Sequence, residues 1–137
     1  MTILRLIGAL YLLSGVWCLL APKLASGYLG YGALSPAAQA EFFTVYGGLQ
    51  TGLGVAMLWC SLIQPARAGA LLFATLFSAI LALSRLISIL NANTPNEHTL
   101  LLALELSIAA ALIYSCYRDP DLSFYSKSGV SGRAAKQ

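Results

Sequence analysis

The sequence predicts an all-α integral membrane protein, a four-helix bundle with both termini on the cytoplasmic side. Composition, the length of the apolar segments and the placement of basic residues predict this fold. Of the 137 residues, 58% are hydrophobic and only 9% are charged. Because a soluble domain of this size carries about a quarter charged residues, the composition favours a membrane protein.

Four apolar segments fill most of the chain. A helix rises about 1.5 Å per residue, so about 20 residues cross the roughly 30 Å hydrocarbon core of a bilayer. The predicted spans cover about residues 3–21, 40–63, 68–90 and 97–117. They form one domain over residues 1–120. Residues 121–137 are polar, and we expect a cytoplasmic, partly disordered tail.

Basic residues set the predicted orientation. If all four segments cross, Lys23 is the basic residue of the outer loops, whereas six basic residues lie on the opposite side. By the positive-inside rule that side faces the cytoplasm. The six are Arg5, Arg67, Arg118, Lys127, Arg133 and Lys136. Since no aromatic residues suited to base stacking are interleaved with the basic ones, we expect no nucleic acid partner.

The connectors justify the boundaries of the helices. The longest connector, 22–40, is rich in glycine and tyrosine and suits the outer membrane interface. Ser35 followed by Pro36 predicts a capped helix start. Residues 64–67 form a tight turn. Thr94 with Glu97 three positions later matches a capping box for the fourth helix.

Two ionisable residues lie inside apolar segments, Arg85 in the third span and Glu105 in the fourth. Each is about six residues, or roughly 9 Å, from the outer end of its helix. Charges at this depth face the bundle interior and find partners. We therefore predict an Arg85–Glu105 ion pair or a shared polar pocket. Two interpretations stay open: a structural pair that fixes the hairpin register, or a ligand or proton site.

Three further polar side chains belong to the predicted ligand site. Gln50 and Tyr46 lie in the second span, and His98 lies seven residues before Glu105, on the same face of the fourth helix. The alternative for His98 is a solvated interfacial side chain. Three cysteines lack the spacing of a metal site, and no catalytic arrangement is visible, so the sequence predicts no enzyme, cofactor or metal.

Glycines in the second span predict close helix packing. Gly48 and Gly52 form a small-xxx-small pair that lets a neighbouring backbone approach. Gly47 and Gly54 lie on a second face, so we expect this helix to contact neighbours on two sides. The alternative interpretation makes the same cluster part of a ligand cavity.

A family resemblance rests on residues of the last three spans: Tyr46-Gly47-Gly48 through Gly52 and Gly54, Leu83-Ser84-Arg85, and Glu105. This pattern resembles the bacterial membrane family called domain of unknown function 4345, which is loosely similar to DoxX-like proteins. The resemblance covers about residues 5–117. It implies a four-helix bundle in the bacterial inner membrane and brings no activity with it.

Three functions are compatible with these residues. The favoured one is binding of a lipid, quinone or other amphipathic molecule in the outer-leaflet half of the bundle. The others are a structural or accessory subunit of a membrane complex and a small proton-coupled exporter. Expected partners are membrane lipids, with a homo-oligomer or a membrane-protein partner as further possibilities.

Overall fold

The computed structural model describes residues 2–91 and 96–119, and the regular structure there is helical throughout. The residues that it does not describe include Thr94 of the predicted capping box, Pro120 and the predicted tail, 121–137. The side chain of Glu97 also lies outside the described residues. The helices are α1 (Thr2–Leu20), α2 (Pro22–Tyr28), α3 (Pro36–Phe42), a π-helix (Phe43–Leu49), α4 (Gln50–Leu62), α5 (Gln64–Asn91) and α6 (Asn96–Arg118).

Three of these helical segments are long and apolar enough to cross a membrane: Thr2–Leu20, Gln64–Asn91 and His98–Arg118. They correspond to the first, third and fourth predicted spans. The predicted turn at 64–67 is wrong, because α5 already begins at Gln64 and the chain turns at Ile63. Large apolar side chains such as Leu13, Leu90 and Leu100 are exposed on their surfaces. Exposed apolar surface of this extent is what a lipid environment accommodates and water does not.

The second predicted span begins at Pro36, as its cap predicts, and contains an unexpected π-helix. The Ser35 side chain accepts a 3.2 Å hydrogen bond from the Ala38 amide, which confirms the predicted cap before Pro36. From there α3, the π-helix and α4 follow one another without an interruption to Leu62. Because the π-helix divides this segment, α3 and α4 taken separately are too short to span a bilayer.

The first connector is more ordered than the predicted turn-rich loop. Pro22–Tyr28 forms the helix α2, with proline in its first turn, where its missing N–H is not needed. The chain then turns at Gly30, whose φ of 80° favours glycine. The prediction missed α2 because seven residues between turn signals carry no clear helical period.

The hydrophobic core joins four helical segments at their inward faces. Its buried members are Leu4, Ile7, Tyr11, Leu53, Met57, Leu71, Ala74 and Leu112. Helix α1 packs along the π-helix and α4, and α5 packs along α6. Since α5 and α6 are consecutive and antiparallel, this packing brings the C-terminal end of α5 beside the start of α6.

Candidate ligand site

Arg85 of α5 and Glu105 of α6 form a two-pronged ion pair. Arg85 Nε donates to Glu105 Oε2 and Nη2 donates to Oε1, both at 2.8 Å. The two side chains are only 17% and 11% exposed. This geometry matches the planar fork of a guanidinium to a carboxylate. The predicted ion pair is therefore confirmed.

His98, near the start of α6, contacts the pair through Arg85. Its Nδ1 lies 3.2 Å from Arg85 Nη1. A guanidinium has N–H groups and no acceptor, so Nδ1 must accept this hydrogen bond. The neutral imidazole then carries its proton on Nε2, so the Nε2–H group can donate a further hydrogen bond.

Tyr46 of the π-helix forms a hydrogen bond with Tyr31, a residue that the sequence did not indicate as part of the site. Its hydroxyl lies 2.7 Å from that of Tyr31, which belongs to the first connector. The rings of Phe42 and Tyr46 stack with centroids 4.7 Å apart, and the Tyr31 ring meets both edge-on. Both hydroxyls lie in the wider neighbourhood of Arg85, whose hydrogen bonds go to Glu105 and His98.

Gln50 lies in a different contact from the other predicted residues. Its Oε1 accepts a 2.8 Å hydrogen bond from the Ser14 hydroxyl, which ties α4 to α1. The structure thus brings Arg85, Glu105 and His98 into direct contact, with Tyr46 in their electrostatic neighbourhood. Gln50 instead serves the α1–α4 contact.

Two more polar side chains, one on α5 and one on α1, lie about two turns of α5 away from Arg85. Ser78, seven residues before Arg85, is 1% exposed, and its Oγ has no hydrogen-bond partner among the described residues. Tyr11 of α1 lies close to Ser78 and within electrostatic range of Glu105. The seven-residue spacing was the available signal for Ser78, since it places both residues on one helical face. No local pattern indicated Tyr11.

The glycines of the helical run from Pro36 to Leu62, here called the second helical unit, divide into two groups. A Cβ at Gly54 would collide with the Leu12 backbone, and one at Gly47 would meet Leu19 at 2.9 Å or less. At Gly48 the nearest atom lies 3.9 Å away, and nothing lies within 4 Å at Gly52. The close approach expected at Gly47 and Gly54 is therefore present, whereas Gly48 and Gly52 are exposed and contact no neighbouring helix within the described part of this chain.

A hollow of about 380 Å³ lies at the first connector, apart from the Arg85–Glu105 pair. Its lining consists of Pro22, Lys23, Ser26, Gly32, Ala33, Leu34 and Gln39. In the described part of the chain, no three His, Cys, Asp or Glu side chains cluster as metal ligands would. The candidate site is therefore the polar cluster of Arg85, Glu105, His98, Tyr31 and Tyr46.

One family model matches the part of the chain that contains this polar cluster. The family model described as domain of unknown function DUF4345 matches residues 1–115, which include every member of the cluster. No curated protein and no solved structure matches the chain significantly. The family match thus covers the spans, the first connector and the paired charges together, and the chain belongs to the DUF4345 family.

Proposed function

We propose that this protein binds an amphipathic small molecule, such as a lipid or a quinone, at the polar cluster around Arg85. The observation that carries the proposal is the surplus of hydrogen-bond donors there. A guanidinium has five N–H groups, and the contacts to Glu105 and His98 use three of them. With the Nε2–H of His98, the cluster offers donors that call for acceptor oxygens.

The chemistry of those donors defines the ligand class. Glu105 neutralises the charge of Arg85, so the site suits a neutral carbonyl as well as a phosphate ester oxygen. The stacked Phe42 and Tyr46 rings provide an apolar wall beside it. The neighbouring hydroxyls of Ser78 and Tyr11 are further polar groups toward the middle of the helix. A molecule with a polar head and an apolar body matches this combination.

We further propose that the protein crosses the bacterial inner membrane four times, with both termini in the cytoplasm. The uninterrupted helical run from Pro36 to Leu62 would supply the crossing beyond the three helices that qualify by length. The six-to-one distribution of basic residues supports the orientation. Arg85 and Glu105 would then lie in the outer-leaflet half, and the ligand would enter from that leaflet.

A binding role fits the pair better than proton-coupled export. Both oxygens of Glu105 already accept hydrogen bonds from a permanent cation. Neither oxygen is then free to bind a transported cation in alternation with a proton, as an exporter needs. The residues of the cluster are also arranged to hold a molecule and not to attack one, so we propose a binding protein and not an enzyme.

Native mass spectrometry of the gently solubilised protein tests the binding role. We expect the wild type to retain a small amphipathic molecule, and the variant Arg85→Leu/Glu105→Leu to lose it. The pair is replaced together, so no uncompensated charge remains. Arg118→Leu, which removes an exposed arginine at the other end of α6, serves as the control and should retain the molecule. Equal retention by the paired variant would refute the proposal.

An accessory subunit is the second candidate function, and one observation favours it. Gly48 and Gly52 are exposed on a face of the second helical unit that no other described part of this chain covers. Small residues in this spacing let transmembrane helices of different chains pack closely. Co-purification of a stoichiometric membrane-protein partner, abolished by Gly52→Leu, would support this role, and a monomer in mild detergent would contradict it.

A further inference from the structure

Two arginines converge on one backbone carbonyl at the end of the bundle opposite the polar cluster. Arg5 near the start of α1 and Arg67 in the first turn of α5 both donate to the carbonyl oxygen of Ser61, at 3.4 and 2.9 Å. Arg5 Nε also donates to the Ser61 hydroxyl at 3.1 Å. Ser61 itself is 1% exposed and lies at the C-terminal end of α4.

The charge at this position is not balanced by the helix end alone. The C-terminus of a helix is equivalent to about half a negative charge, which attracts cations to its last carbonyls. Two guanidinium groups at the same carbonyl oxygen bring two positive charges, which exceed the partial negative charge of this helix end. Donors remain as well: the bonds to Ser61 use two N–H groups of Arg5 and one of Arg67.

The surroundings place this charge at a membrane interface. Arg5 lies near the start of the span Thr2–Leu20, and Arg67 lies near the start of the span Gln64–Asn91. At the end of α4, the large apolar side chains of Trp59 and Leu62 are 66% and 65% exposed, and that of Ile63, directly after the helix, is 41% exposed. Tryptophan favours the headgroup level of a bilayer, with apolar neighbours toward the acyl chains. A phosphate beside the arginines and acyl chains beside these residues would satisfy both features.

We propose that Arg5 and Arg67 form a binding site for the phosphodiester of an anionic phospholipid at the cytoplasmic end of the bundle. Guanidinium groups recognise phosphate oxygens through paired hydrogen bonds. Basic pockets between transmembrane helices on the cytoplasmic side bind anionic headgroups in this way. The inference depends on the proposed membrane crossing and orientation, but not on the ligand at Arg85.

Native mass spectrometry with added lipid tests the site. The protein is delipidated in detergent and mixed with either phosphatidylglycerol or phosphatidylcholine of the same acyl chains. We expect the wild type to retain phosphatidylglycerol in preference. Arg5→Gln and Arg67→Gln should each lower that preference about ten-fold, because each removes charge-assisted hydrogen bonds to the phosphate. Arg118→Gln, at the same end of the bundle, is the control and should leave it unchanged.

Further measurements distinguish this lipid site from the polar cluster around Arg85 and from a site for free phosphate. Arg85→Leu/Glu105→Leu should keep the preference for phosphatidylglycerol, so failure of one proposal does not mimic failure of the other. Inorganic phosphate at constant ionic strength should not displace the lipid, and displacement would assign the site to free phosphate instead. If a glutamine variant does not fold, the lipid preference of the wild type is measured at increasing salt concentrations instead, because salt weakens an interfacial charge contact. Equal retention of the two lipids, or a preference that salt does not alter, would overturn the proposal.

Discussion

Arg85 and Glu105 lie twenty positions apart in the chain, yet two parallel hydrogen bonds of 2.8 Å join their side chains. Their helices, α5 and α6, run antiparallel beside each other. Each residue alone would place a charge in hydrocarbon, and together they carry none. The hairpin of α5 and α6 therefore has one register in which both charges are satisfied.

Removing one member of this pair should cost far more than removing both. Arg85→Leu leaves the Glu105 carboxylate buried and unpaired, and we expect a loss of about 3–5 kcal/mol in the free energy of unfolding. Arg85→Leu/Glu105→Leu should lose much less or gain stability, because apolar replacements of a buried pair pack well. Unfolding in detergent, followed by circular dichroism, measures both. A double variant as unstable as the worse single variant would contradict this interpretation.

Two neighbouring glycines should respond in opposite ways to the same substitution. Gly54 faces the Leu12 backbone with no room for a methyl group, so Gly54→Ala should destabilise the protein by about 1–3 kcal/mol through overpacking. Gly52 faces open space, and Gly52→Ala should stabilise its helix by about 0.5–1 kcal/mol. Thermal unfolding of both variants provides the comparison. Destabilisation by Gly52→Ala would indicate that another chain covers this face.

The tautomer of His98 follows from its contact with Arg85. Because Arg85 Nη1 can only donate, Nδ1 of the neutral ring must be free of hydrogen. We expect nitrogen-15 NMR of histidine-labelled protein in bilayers at alkaline pH to show the Nε2–H tautomer. His98 is the single histidine of the chain, so assignment is direct. A dominant Nδ1–H tautomer would show that this contact is not formed.

The hydrogen bond between Tyr31 and Tyr46 should join the first connector to the π-helix. We expect Tyr31→Phe and Tyr46→Phe each to cost about 1 kcal/mol in the free energy of unfolding. The double variant should cost less than the two losses added, because both substitutions remove the same bond. Tyr28→Phe offers a control, since Tyr28 is an exposed tyrosine of the same connector whose ring lies against Trp17. Additive losses would show that the two hydroxyls act separately.

Much of this architecture could be predicted from local sequence, and the site only in part. Apolar segment lengths predicted the helices α1, α5 and α6, and the cost of buried charge predicted the Arg85–Glu105 pair. Tyr31 could not be predicted because its contact depends on how a nineteen-residue connector (22–40) folds back over the bundle. Gln50 was assigned to the site by its depth alone, whereas its partner depends on which face of α4 meets α1.

The glycine faces show the same limit. Sequence spacing marks both the Gly48–Gly52 pair and the Gly47–Gly54 pair as packing faces. Which face is buried depends on the rotation of the helix, and the π-helix before Gln50 changes that rotation. A π-helical turn has more residues than an α-helical one, and no composition rule locates it. Only the three-dimensional arrangement shows that Gly47 and Gly54 are the pair that contacts α1.

Binding at the polar cluster requires the guanidinium of Arg85 to present its remaining donors to a bound amphipathic molecule. The charge-exchanged variant Arg85→Glu/Glu105→Arg isolates this requirement, because it retains an ion pair while moving the guanidinium from α5 to α6. Mass spectrometry of the molecule retained by the folded variant is the measurement. We expect a native-like melting temperature with the bound molecule lost. A folded variant that retains the molecule as the wild type does would contradict the proposed role of Arg85.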